Sequence, residues 1–258
     1  LPEYTMTIII ILILFFIKNY FFSYKSLKDY SYNIIFFFIV FFILSIQVAS
    51  VLNLGWDAKW FWYIKSLYFS DNQTFKELSN YAYNDYHPHL GSFVWSFFRE
   101  LSFNKYEYIG RLFYVFFYIT GIFFITKDIF KNKLKNIITF LLIVFITHKY
   151  IYFSGLQEIL IFTTLIYMSK FLYNFLKDRS PIYLFFILLS ANLLIWLKAE
   201  GIAYALIFLI TINFISKLNL KQKILINISF LFIILFKILI YKFFEIKVND
   251  QPYYVDYI

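Results

Sequence analysis

Long apolar runs set the limits on what this chain can become. Residues 5–22, 31–52, 107–126, 136–153, 158–173, 181–197, 202–215 and 224–241 are rich in Ile, Leu, Phe and Val and carry few charges. An α-helix needs about 20 such residues to cross a bilayer, because lipid offers the backbone no hydrogen bonds. The runs predict an all-α integral membrane protein with about eight transmembrane helices. Only 15% of the residues are charged, against about 25% in soluble domains, which excludes an ordinary soluble fold. Residues 90–101 are apolar but too short to cross. They are expected as a short helix in or near the interface.

Basic residues punctuate the runs. Lys25 and Lys28 form one cluster, and Lys127, Lys131, Lys133 and Lys135 a denser one. Lys170, Lys177 and Arg179 form a third, and Lys217, Lys221 and Lys223 a fourth. The net charge of +9 is therefore read as cytoplasmic loop charge, not as a nucleic-acid surface. No nucleic-acid partner is expected; membrane lipids are. The four clusters share the cytoplasmic side only if residues 53–93 lie outside. The chain opens on Leu1. It is read as one polytopic membrane domain over 1–258 and as a fragment of a longer chain.

Residues 53–93 are the one long segment rich in polar groups. Trp56, Trp60, Ile64 and Leu67 recur at helical spacing, with Lys59 and Lys65 off that stripe. Such a helix suits the headgroup layer. Asp57 stands at its start, where a carboxylate can cap the helix or act chemically. Asp85, His87 and His89 gather at the far end of the loop. The same orientation puts His148, Lys149, Gln157 and Glu158 outside, together with Lys198 and Glu200 of the turn between two later runs. One outward polar site assembled from several turns is the expectation.

At Asn84-Asp85-Tyr86-His87-Pro88-His89-Leu90-Gly91 the chain resembles the Asp-x-His-Pro-Pro-Leu-Gly stretch of protein O-mannosyltransferases. These belong to the GT-C class of membrane glycosyltransferases. Gly55-Trp56-Asp57 looks like the first acidic motif of that class. Gly110-Arg111-Leu112 resembles the Arg-Leu that opens the next span. Leu197-Lys198-Ala199-Glu200-Gly201 is similar to a Lys-containing turn of lipid-linked sugar transferases. Ala58 stands where the family often has a second acid, and His89 where it has a second proline. The resemblance covers roughly residues 53–201. It implies a membrane enzyme moving a sugar from a polyprenyl-phosphate donor to a glycan, lipid or protein acceptor, in a bacterial plasma membrane with the site facing outside.

Such chemistry needs a carboxylate to take the acceptor proton, for which Asp57 and Asp85 are the candidates. It needs cations near the donor phosphate, for which Lys198 and Arg111 qualify. His87 and His89 are candidate substrate contacts, or with Asp85 ligands of a possible divalent metal ion. Glu158 and Glu200 complete the substrate-binding set. For each a plainer role stands beside the functional one. The histidines can serve a hydrogen-bonded turn, Lys198 an interface anchor paired with Glu200, and Glu158 a helix start. A membrane transporter and a lipid-linked glycan polymerase or ligase are the alternative functions.

Overall fold

The computed structural model describes residues 27–51, 53–71, 77, 88–103, 105–127, 129–148, 153–215 and 218–246. The expected first span at 5–22 lies outside them, as do Asp85, His87 and Lys149. Contacts divide the chain after Val40. Apart from the first part of α1, everything below concerns the second unit.

Every regular element among the described residues is helical. In order they are α1 (Leu27–Ser50), a π turn (Ala58–Trp62) running into α2 (Tyr63–Ser70), α3 (Leu90–Glu100), α4 (Glu107–Thr126), α5 (Lys133–His148), α6 (Glu158–Asp178), α7 (Pro181–Leu197), α8 (Gly201–Ile215) and α9 (Leu220–Phe243). Their ends follow local chemistry. Asn219 and Gln222 form a reciprocal capping box that starts α9. Pro181 opens α7 with its preset φ. Arg179 closes α6 in the left-handed region.

Among the described residues three helices, α4, α6 and α9, are long and apolar enough to cross a membrane. The eight spans expected from the sequence are not shown by these residues. Residues 34–50 of α1, with α7 and most of α8, are apolar but shorter. At about 1.5 Å per residue a 17-residue helix such as α7 falls short of a ~30 Å core. Large side chains such as Phe145, Phe214 and Phe236 stay exposed, which suits lipid and would be costly in water.

The core lies between α4, α6 and α7. Tyr114, Ile119 and Ile122 of α4, Leu160 and Met168 of α6, and Leu194 and Ile195 of α7 are fully buried. At 11 residues, α3 is the short helix expected at 90–101. It packs on α2, α4 and α7 through a narrow stripe of Gly91, Ser92, Trp95, Ser96 and Arg99. Ser96 meets Ser70 of α2 at 2.9 Å. Small residues here let helices approach closely where lipid supplies no hydrophobic drive.

Helix directions alternate, so charges separate between the two ends of the bundle. The starts of α4 and α6 meet the ends of α1 and α7 through Arg111, Val51, Phe153, Lys198 and Glu158. His148, ending α5, bonds Gln47 of α1 at 2.6 Å. At the opposite end Asn136 of α5 donates to the Lys127 carbonyl after α4. Lys127, Lys131, Lys133 and Lys135 therefore lie there, with Lys177 and Arg179.

Candidate functional site

Three short turns meet at the less basic end. The first is Gly55-Trp56-Asp57, leading into the π turn. The second is Phe153-Ser154-Gly155-Leu156, before α6. The third is Lys198-Ala199-Glu200, between α7 and α8.

The frame beneath them is a buried ion pair. Glu107 and Arg111 sit one helical turn apart at the start of α4, where side chains four residues apart face each other. The Arg111 guanidinium is clamped by both Glu107 carboxylate oxygens, each at 2.7 Å. It also donates to the Phe153 carbonyl at 2.8 Å and the Val51 carbonyl at 3.2 Å. One planar group thus ties α4 to the exit of α1 and the entry of α6. Its side chain is 1% exposed. Arg111, one of the expected substrate contacts, is buried here and bonded to the two turns.

A second network locks α3 to the same turns. Gln157 is fully buried and donates to the Tyr114 hydroxyl at 2.8 Å. That hydroxyl donates in turn to the Gly91 carbonyl at 3.3 Å. A Cβ at Gly91 would overlap the Gln157 amide. Gly155 has φ +88 and lies against the Trp95 ring, with Ala58 so close that an added Cβ would sit 3.0 Å from it. Only glycine meets both demands. The same contact explains Ala58. It is fully buried, so a second carboxylate at this position would meet Gly155 instead of solvent.

These packings fix Asp57. The Gly55 amide donates to the Ser154 carbonyl at 3.0 Å, so the first turn rests on the second. Asp57 makes no side-chain capping bond; the capping role open to it in the sequence is not used. Its half-buried side chain precedes a π turn, a local widening that recurs at functional sites.

Lys198 stands opposite. Its ammonium bonds Glu158 at 2.6 Å and lies 3.7 Å from Glu200. Burial works against its charge. The Glu158 hydrogen bond and the charges of Glu158, Glu200 and Asp57 outweigh that, and its pKa is raised above the ordinary lysine value. Glu158 and Glu200 are thus brought to one ammonium, and Asp57 is near enough for its charge to act on the lysine. The lysine is 19% exposed, and its partners 55% and 60%, so the group opens to its surroundings.

His89 is placed elsewhere. It is 2% exposed, stacked on Tyr241 of α9 and edge-on to Phe69 of α2. Among the described residues no three His, Asp or Glu side chains gather as a metal-binding group. Asp85 and His87 of the expected metal set lie outside those residues. Lys65, which falls off the apolar stripe in sequence, is fully buried beside Trp62. Trp56 and Trp60 are exposed.

Sequence reasoning missed the Tyr114, Gln157 and Gly155 contacts, which no local pattern announces. It also passed over Glu107, although its spacing from Arg111 was a visible signal. Compared with family models, with curated proteins and with solved structures, the chain finds no match.

Proposed function

We propose that the chain is a membrane glycosyltransferase of the GT-C type. It moves a sugar from a polyprenyl-phosphate donor to a hydroxyl acceptor on the outer face of the membrane. What supports this reading is the cluster of Lys198, Glu158 and Glu200, with the charge of Asp57 acting on the same lysine, at the end of the bundle away from the basic loops.

In this reaction the acceptor oxygen attacks the anomeric carbon. The bond from that carbon to the donor phosphate oxygen breaks, and its electron pair leaves with the phosphate. The hydroxyl proton passes to the Asp57 carboxylate, the general base. Lys198 stabilises the phosphate as a point charge. Glu158 and Glu200 hold the lysine in place, and Arg111 and Glu107 hold the turns.

The deciding experiment is sugar transfer from a polyprenyl-phosphate donor by Asp57→Asn in membranes. Turnover falls by about 10²–10⁴-fold while donor binding persists. Wild-type turnover would remove Asp57 from the chemistry. Sidedness is tested in this cysteine-free chain by labelling intact cells. Lys105→Cys, exposed just before α4, reacts, and Asn132→Cys, exposed just before α5, is protected. The reverse pattern would turn the site inward.

A further inference from the structure

Lys237 is a lysine inside one of the three apolar helices long enough to span. It lies within two turns of the end of α9. An ionisable group in such a position is costly and calls for a partner. Its ammonium donates to the Ile195 carbonyl at 2.8 Å. The Trp196 and Tyr241 rings flank it at 5.6 and 5.4 Å. No carboxylate pairs with it among the described residues. An ammonium has three donors, and one is used here.

One helical turn below, a groove of about 470 Å³ runs between α7 and α9, lined by residues that include Leu188, Leu189, Asn192, Ser229, Phe232 and Ile233. Residues three and four apart share a helix face. The groove face of α9 therefore continues from Ile233 to Lys237, and that of α7 from Asn192 to Ile195 and Trp196. A mostly apolar groove thus adjoins a cation that has one hydrogen-bond acceptor among the described residues.

We infer that this groove is a binding site for an anionic phospholipid. Its acyl chain lies between α7 and α9, and its phosphate accepts hydrogen bonds from the Lys237 ammonium. The occupant is a lipid and not a free anion because the cation lies one helical turn beyond a mostly apolar groove, on the same helix faces. The paired Trp196 and Tyr241 rings suit the boundary between chains and headgroups. The inference stands on Lys237 and the groove, and not on the transfer reaction.

Trp196 beside Lys237 is a built-in reporter. The full chain is placed in phosphatidylcholine vesicles with rising fractions of phosphatidylglycerol brominated on its chains, and fluorescence quenching is read against Trp196→Phe. Quenching saturates at a low fraction of the brominated anionic lipid. Brominated phosphatidylcholine shows no such saturation. Lys237→Gln removes a charged hydrogen bond and needs roughly tenfold more lipid or beyond; Lys237→Arg keeps most of the affinity. Ser229→Phe fills the groove with Lys237 intact and also weakens saturation, so it decides the matter even if Lys237→Gln folds poorly. Equal quenching by the two lipids, or an unchanged curve for Ser229→Phe, would overturn the site. So would displacement of the lipid by inorganic phosphate alone, which would mark an ion site without a lipid.

Discussion

Two ion pairs lie at the same end of the bundle and differ in what surrounds them. Arg111 and Glu107 are 1% and 19% exposed, and the guanidinium is satisfied on several sides by carboxylate and carbonyl oxygens. Lys198 and Glu158 are 19% and 55% exposed, and Glu200 adds a second, longer contact. A sealed, fully bonded charge fixes backbone segments, because any movement strands it without partners. A half-open ammonium holds its position loosely and can exchange a carboxylate for another anion. The first pair thus serves the architecture, and the second is open in the way the ligand contact proposed for Lys198 requires. Residue type alone would have treated both cations alike.

The largest effect is expected where the sealed pair is broken. Arg111→Ala leaves the Glu107 carboxylate, the Phe153 carbonyl and the Val51 carbonyl without their donor. Removing one partner of a buried pair costs about 3–5 kcal/mol, and thermal unfolding in detergent should show a loss of that order. Arg111→Lys does not rescue it, since an ammonium cannot span the same fork. Replacing both members, Glu107→Leu with Arg111→Met, costs less than Arg111→Ala alone. If Arg111→Ala unfolds at the wild-type temperature, the pair is not the frame of the site.

Lys198→Ala reverses the pattern. A surface pair contributes about 0–1 kcal/mol to stability, so unfolding moves little. Donor affinity drops by about 1.5–3 kcal/mol, the value of a charged hydrogen bond. Lys198→Arg retains part of it. Equilibrium binding of the lipid-linked donor separates the outcomes. A variant that unfolds early yet binds donor normally would make Lys198 a second Arg111 and end the distinction.

The two pairs also mark what the sequence could tell. Helix bounds followed from apolar runs, and α4 and α7 start and stop where those runs do, because charged and proline residues end them. The full set of eight spans is not shown among the described residues. An apolar run reads the same whether it faces lipid or protein, and α7 and α8 are too short to be counted by composition alone. The same ambiguity hid the inner face of the 56–70 helix. Its stripe of Trp56, Trp60, Ile64 and Leu67 is expected in the headgroup layer, and Trp56 and Trp60 are exposed; the face that packs on the protein, with Phe61, Trp62, Lys65 and Ser66, follows no pattern in the sequence. The contact of Glu158, Lys198 and Glu200 was legible because each ends or begins a run, and alternating helices bring such positions to one end. The role of Arg111 was not, because its carbonyl partners at Val51 and Phe153 are distant in sequence. His89 looked like a ligand beside Pro88 and is packed between aromatic rings. Neither ring contact leaves a local trace.

The smallest effect sharpens the open pair from within. Glu158 touches the Lys198 ammonium at 2.6 Å and Glu200 stands 3.7 Å away. Both raise the lysine pKa, Glu158 through a hydrogen bond as well as charge. A raised pKa means that the pairing contributes fully below the unfolded lysine value of about 10.4 and is lost as pH climbs through the folded value. Stability should therefore show no dependence on this lysine across the neutral range and should fall only in alkali. Glu158→Gln moves the Lys198 titration downward, and Glu200→Gln moves it by less, as the carbon resonance next to the ammonium would record. Neither changes stability by more than about 1 kcal/mol, because both carboxylates are exposed. A larger shift from Glu200→Gln than from Glu158→Gln would mean that the hydrogen bond does not govern the lysine. Glu200 would then be the carboxylate that a ligand phosphate must displace, and the open pair would be Lys198 with Glu200 instead.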